Sequence, residues 1–165
     1  MSTTPVIRMS IGSTVLEFTG EQVINASIVE EVSPLCTELP ASALDFKIML
    51  YDESFSMFSG EYYQQLKKRL PILVYERVGL EDRFVGKFYL DEWKNTSERE
   101  FEFSAIDLVG LLEMINYDGG FWATPTEIGA VLEQLLTPIN VAYSLSPALS
   151  GVKVSGWIPP GNYRG

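Results

Sequence analysis

Carboxylates are where chemistry could sit in this sequence, because its 165 residues include no histidine. That absence removes the usual general base of serine and cysteine hydrolases, every His-containing zinc site and phosphohistidine chemistry. Turnover would have to rest on Asp, Glu, Lys or Tyr. Paired acids come first, since two carboxylates flanking a glycosidic bond suffice for its hydrolysis. Glu30-Glu31 and Asp91-Glu92 are adjacent in the chain, and adjacent strand residues point to opposite faces. Neither pair converges on a substrate unless another strand supplies a partner, and both read as solvated polar faces. Asp52-Glu53-Ser54-Phe55-Ser56 spaces its oxygens like the opening of a calcium loop. Met57 stands where that loop needs Gly, and no bidentate Glu follows at the right distance, so an ordinary turn is expected. Asp107 is the remaining acid to weigh. In FEFSAIDLVGLLE, residues 101–113, a two-residue alternation gives way at Asp107 to the helical stripe Leu108, Leu111, Leu112 and Ile115. An acid at that junction reads as an N-cap, worth roughly 1 kcal/mol, and not as a catalytic group.

Other residue groups divide the same way. Tyr117, Phe121 and Trp122 beside Gly119-Gly120 would suit a sugar-stacking platform, but packing at a domain junction is the expected role. Trp93 and Trp157 are expected in packing or interfaces. Glu98, Glu100 and Glu102, with Arg99, line the outward face of a strand, where they either solvate it or form a charged ring around an assembly axis. Cys36 is the only cysteine, which excludes an internal disulfide and a thiolate zinc site and fits a reducing compartment. No phosphate loop, dinucleotide fingerprint, nucleophile elbow or metalloprotease signature occurs. The expectation is no catalytic, cofactor-binding or metal-ligating residue, no cofactor, and no enzymatic activity. Twelve Lys and Arg against 22 Asp and Glu give a net charge of −10, which repels a phosphate backbone; Lys67-Lys68-Arg69 is the one basic cluster. Nucleic acid is excluded as an expected partner. No apolar run reaches 18 residues and the start lacks a charged-then-apolar layout, so neither a membrane span nor a signal peptide is expected.

The elements that would position these residues are mostly strands. VINASIVEEV, residues 23–32, places Ile24, Ala26 and Ile28 on one side, and LDFKIMLY, residues 44–51, places Leu44, Phe46, Ile48 and Leu50 on one side. EYYQQLKKR, residues 61–69, holds helix formers; the β-branched run after Pro71 reads as a further strand. RFVGKFYLDEW puts Phe84, Gly86, Phe88 and Leu90 inward, and REFEFSAI puts Phe101, Phe103 and Ala105 inward, together predicting a long hairpin. A short helix after Asp107 would plug the sheet, its Gly110 marking a close backbone approach. Thr124-Pro125-Thr126-Glu127 spells a capping box for a second helix carrying Ile128, Val131, Leu132 and Leu135. The fold class expected is mainly β with short helices (α+β): a small antiparallel β-barrel at 1–116 with its capping helix, then the start of a second α+β unit at 117–165.

The order of these pieces resembles a known family. SIVEEVSPLCTELPASALDFKIMLYD, the hairpin FVGKFYLDEWKNTSEREFEFSAIDLVGLLE, the aromatic-Gly junction, TPTEIGAVLEQLL and VKVSGWIPPGNYR together look like the N-terminal part of bacteriophage and prophage tail hub proteins. The resemblance spans about Val23 to Arg164 and includes no catalytic motif. It implies a structural protein of the baseplate hub at the distal end of the tail tube, assembled in the host cytoplasm and carried in the virion tail. The implied partners are tail tube, distal tail or baseplate proteins and the tape measure. It also implies a homotrimer of the full-length protein with two barrel-like domains per subunit, and a chain that continues past Arg164. A tail-associated cell-wall hydrolase and a carbohydrate-binding module using Trp122 are the alternative functions.

Overall fold

The computed structural model describes residues 3–31, 40–56, 60–139 and 141–162, and Met57 and Cys36 fall outside them. The chain forms two compact units, Met1–Ile115 and Asn116–Asn162. It is mostly β, with a few short helices.

The first unit is one antiparallel sheet of seven strands: β1 (Thr3–Ile11), β2 (Thr14–Thr19), β3 (Val23–Glu30), β4 (Ser42–Met49), β5 (Pro71–Val78), β6 (Glu81–Asn95) and β7 (Glu100–Ile106). Their spatial order is β2-β1-β5-β6-β7-β4-β3. The first hairpin turns on Gly12-Ser13, with Gly12 at φ +59°, a conformation that glycine adopts without strain. No ladder joins β2 to β3 among the described residues, so hydrogen bonds do not close the expected barrel. A 3-10 turn at Gly20–Gln22 links those two edges and touches both β1 and β4.

The core is wholly apolar: among the described residues no polar side chain is buried. Leu44, Phe46 and Ile48 of β4 and Phe101, Phe103 and Ala105 of β7 enter it as their alternation predicts. Phe46 stacks on Phe103 with centroids 4.9 Å apart. Phe55, from the segment between β4 and β5, is 1% exposed and sits among Phe18, Tyr62, Phe101 and Phe103 at 5.7–6.1 Å. The acid-rich turn that carries it therefore supplies a core plug. Asp52 accepts there from both the backbone N–H and the hydroxyl of Ser54.

Three register shifts set the faces, since one extra residue reverses strand parity beyond it, and two of them overturn the expected face. The β5–β6 ladder skips Val85, which leaves Phe84 outside, 60% exposed and edge-on to Tyr75. The β6–β7 ladder skips Asp91, which turns Trp93 onto the core. In β3 the ladder skips Ile24; Val23 and Ala26 pack on the core while Ile24 is exposed. The segment 61–69 forms only a 3-10 turn, Tyr63–Gln65, and its Leu66 is buried. Helix α1 (Leu108–Glu113) packs on β4, β6 and β7, and a Cβ on its buried Gly110 would lie 3.2 Å from Ile106 Cβ.

The second unit contains β8 (Asn116–Tyr117), β9 (Gly120–Glu127), α2 (Ile128–Leu136), β10 (Lys153–Ile158) and β11 (Gly161–Asn162), paired as β9–β10 and β8–β11. The expected capping box does not form. Thr126 and Glu127 belong to β9, opposite Val154 and Lys153, and Glu127 is the N-cap without a side-chain bond. The Val152 carbonyl accepts the free Ile128 N–H at 2.9 Å instead. Strand pairing satisfies this helix start, so the local cap is not needed. No helix among the described residues is long and apolar enough to cross a membrane.

Candidate functional site

Two ladder rows cross the outer face of β4, β7 and β6. Asp45, Ser104 and Glu92 make one row; Lys47, Glu102 and Lys94 make the next, with Asn25 of β3 beyond Lys47. The alternation of β4 and β7 legible in the sequence puts these side chains outward. The Asp91 bulge returns Glu92 and Lys94 to the same side. Together they line a groove of about 360 Å³.

The two lysines of the groove are held by carboxylates. Lys47 Nζ lies 2.7 Å from Glu100 and 3.6 Å from Glu102, and Lys94 Nζ lies 2.6 Å from Glu102. The Lys94 bond, followed by the Lys47 charge, holds the Glu102 carboxyl below the usual carboxylate range. The bond to Glu100 raises the Lys47 ammonium. Ser104 Oγ donates to Asp45 at 2.5 Å. Glu100 and Glu102 are thus salt-bridged, where bare acidic solvation was the simplest expectation.

Asp45 and Glu92 are the carboxylates that separate strands bring to one row. Two strand spacings put their backbones about 10 Å apart. Ser104, on the strand between them, donates its hydroxyl to Asp45. Asp91 lies apart from Glu92, bound to Lys68 Nζ at 3.0 Å.

Asp107 caps α1, Oδ1 accepting the Gly110 N–H at 2.8 Å, as the sequence predicts. Its other oxygen accepts the Ser42 N–H at 2.8 Å, and its own N–H donates to the Ser42 carbonyl at 2.9 Å. Both oxygens are engaged in holding β4 to α1.

A charge network that the sequence analysis missed covers the other half of the sheet. Arg8 binds Glu17 (2.8 Å) and Asp82 (2.6 Å), and Arg77 binds Asp82 (2.6 Å) and Glu17 (3.2 Å), a closed ring over β2, β1, β5 and β6. Arg8 also lies 4.5 Å from the Tyr75 ring centroid. Bonding to Arg77 lowers the Asp82 pKa, and bonding to Arg8 lowers that of Glu17; both guanidinium groups rise in turn. Only the strand register makes these four residues neighbours, so nothing in the linear spacing announces them.

In the second unit, Tyr117 and Trp122 meet over Gly120, where an added Cβ would lie 2.2 Å from the Tyr117 hydroxyl and 2.5 Å from the Trp122 ring. Trp122 donates from Nε1 to Gln134 of α2 at 3.1 Å. Phe121, 71% exposed, stands directly across the ladder from Trp157, 67% exposed. Among the described residues no group of three His, Cys, Asp or Glu side chains is placed to hold a metal ion.

No family model matches the chain, and no curated protein does. Among solved structures, a tail protein from Neisseria meningitidis is 14% identical, with a TM-score of 0.48; the match covers 81% of this chain and 33% of that one. The 43 kDa tail protein of prophage MuSo2 from Shewanella oneidensis is 11% identical, with a TM-score of 0.47 over 96% of this chain and 44% of that one. The chain thus spans a third to under half of the length of each of these tail proteins.

Proposed function

We propose that this chain is a structural component of a phage or prophage tail, part of the hub at the distal end of the tail tube, and not an enzyme. The resemblance of its sequence phrases to tail hub proteins supports the family. The observation that carries the mode of action is the edge strand β3, which has no second ladder partner among the described residues. Its residues Ile24–Val29 include no charge and no proline, and Ile24, Ile28 and Val29 are 36–56% exposed. Edge strands of this kind are ordinarily blunted by charge, proline or a covering element, because they pair with other chains. Function on this reading is strand and surface pairing with tube, distal tail, baseplate or tape-measure proteins, in a full-length homotrimer of the virion tail assembled in the host cytoplasm. Electron microscopy of lysates from a phage lacking this gene product should show absent or aberrant tails; complete, infectious tails refute the proposal. Clearing of purified cell wall by the chain in a zymogram would refute its non-enzymatic part.

A carbohydrate-binding role is the second reading, favoured by Phe121 and Trp157, two exposed aromatic residues opposite one another on the β9–β10 ladder. Trp157→Ala should then abolish glycan-array signals, while an array without hits dismisses the reading.

A further inference from the structure

The geometry points to an extended strand of a partner protein on β3, with an arginine opposite Ser27 whose guanidinium crosses that serine to the Asp45 carboxylate. The inference rests on the strand-pairing reading of β3 given above and adds to it a register and a chemistry. The ladders decide the register. Asn25, Ser27 and Val29 of β3 lie opposite Lys47, Asp45 and Ala43 of β4, and each opens an outward row across the sheet. The Val29 row continues through Ala43, Ile106 and Tyr89 and holds no charge. The Asn25 row meets Lys47 first, already held by Glu100 and Glu102, which would repel a second cation. The Ser27 row meets Asp45, then Ser104, then Glu92. Neither of these carboxylates has a Lys or Arg partner among the described residues. Asp45 accepts the neutral Ser104 hydroxyl at 2.5 Å, and a carboxylate has acceptor sites to spare for a guanidinium beside one such bond.

The same sheet shows that arginine has the reach. A strand added at β3 lies two strand spacings, about 10 Å, from β4. Arg8 of β1 binds Asp82 of β6 at 2.6 Å across the intervening β5, and Arg77 of β5 binds Glu17 of β2 at 3.2 Å across β1. Both pairs span that separation, and the small, exposed Ser27 leaves the crossing to Asp45 clear. The residues on either side of the arginine fall beside Ala26 and Ile28. Ala26 packs on the core and Ile28 is 36% exposed, so apolar side chains suit both places. At longer range, a net charge of −10 favours approach of a cationic segment. Edge, register and charge together select a strand that reads apolar, arginine, apolar.

The test is titration of the 15N-labelled whole chain with acetyl-Thr-Thr-Val-Arg-Val-Thr-Thr-amide at low ionic strength, read by amide shifts and hydrogen exchange along β3. Saturable binding that protects β3 amides is expected. Citrulline in place of the peptide's arginine keeps the shape and removes the charge, and should weaken binding about fivefold, the upper range for a partly exposed ion pair. Asp45→Asn, which still accepts the Ser104 hydroxyl, should weaken the arginine peptide equally and leave the citrulline peptide unaffected. Equal binding of the two peptides by the parent chain, or an Asp45→Asn loss as large for citrulline as for arginine, would overturn the arginine assignment while strand pairing at β3 stands. If neither peptide protects β3, the strand-pairing reading falls with it. Shifts that follow protein concentration alone, unchanged by either peptide, would report a second copy on the edge and overturn the basic partner strand.

Discussion

Asp107 serves two elements with two oxygens, and its replacement separates that role from an ordinary cap. A helix cap alone is worth about 1 kcal/mol. Here the second oxygen also satisfies the Ser42 N–H across 65 residues of chain, and bonds to a charged acceptor contribute about 1.5–3 kcal/mol each. Asp107→Ala should therefore cost about 2–4 kcal/mol in denaturant unfolding, well above a simple cap. A loss near 1 kcal/mol would mean that the Ser42 bond contributes nothing. Phe55 gives a second prediction at this scale. It lies among four aromatic rings and is buried, so Phe55→Ala should cost about 3–5 kcal/mol through lost contacts and an unfilled cavity. The cap of Asp107 was legible because a helix stripe starts at the next residue. Its clasp on β4 and the plug role of Phe55 were not, since both depend on segments distant in the chain.

At the scale of elements, legibility followed whether a strand keeps one register. β4 and β7 run without a bulge against each other, and simple alternation finds both their faces. β6 carries skips at Val85 and Asp91, so alternation misplaces Phe84 and does not foresee Trp93 on the core. The hairpin β1–β2 escaped the sequence analysis altogether. Val6 and Ile7 are adjacent and both buried, which blurs the period, although Gly12-Ser13 marks the turn. The Thr124–Glu127 capping box failed because β10 claims Thr126 and Glu127 as ladder partners. Of the candidate site, the outward charges of β4 and β7 were readable, but the rows they form with β6 and the Arg8–Glu17–Arg77–Asp82 ring needed the register. The edge β3 yields a prediction of its own. Val29, 56% exposed, should accept Val29→Lys within about 0.5 kcal/mol of the parent stability, as exposed substitutions do. The same change should block edge pairing and lower incorporation into tails, measured by complementation of the deletion phage. Unchanged incorporation would remove β3 from the assembly mechanism.

For the molecule as a whole, the Arg8–Glu17–Arg77–Asp82 ring ties four of the seven strands from outside, while the apolar core ties all of them from within. Its contribution should be visible in the acid limb of stability. Folding lowers the pKa of Asp82 and Glu17 below their ordinary carboxylate values. The folded state therefore holds fewer protons on them, and the stabilisation is fully present above the unfolded pKa. It is lost as pH falls through the lowered folded pKa, a window of roughly pH 5 to 3 or below. General charge repulsion runs the other way: a net charge of −10 at pH 7 relaxes toward the isoelectric point near 4.4, which by itself favours the compact state. A melting curve of the parent chain mixes the two effects, and the difference between the parent and Asp82→Asn separates them because nearly all other charges cancel. That difference in Tm should be constant from pH 7 to about 5 and then shrink as the solution is acidified. Added salt should reduce it at neutral pH, since the ring is partly exposed and screened. A difference independent of pH would show that Asp82 acts by its shape and hydrogen bonds alone, with its charge adding nothing to the sheet.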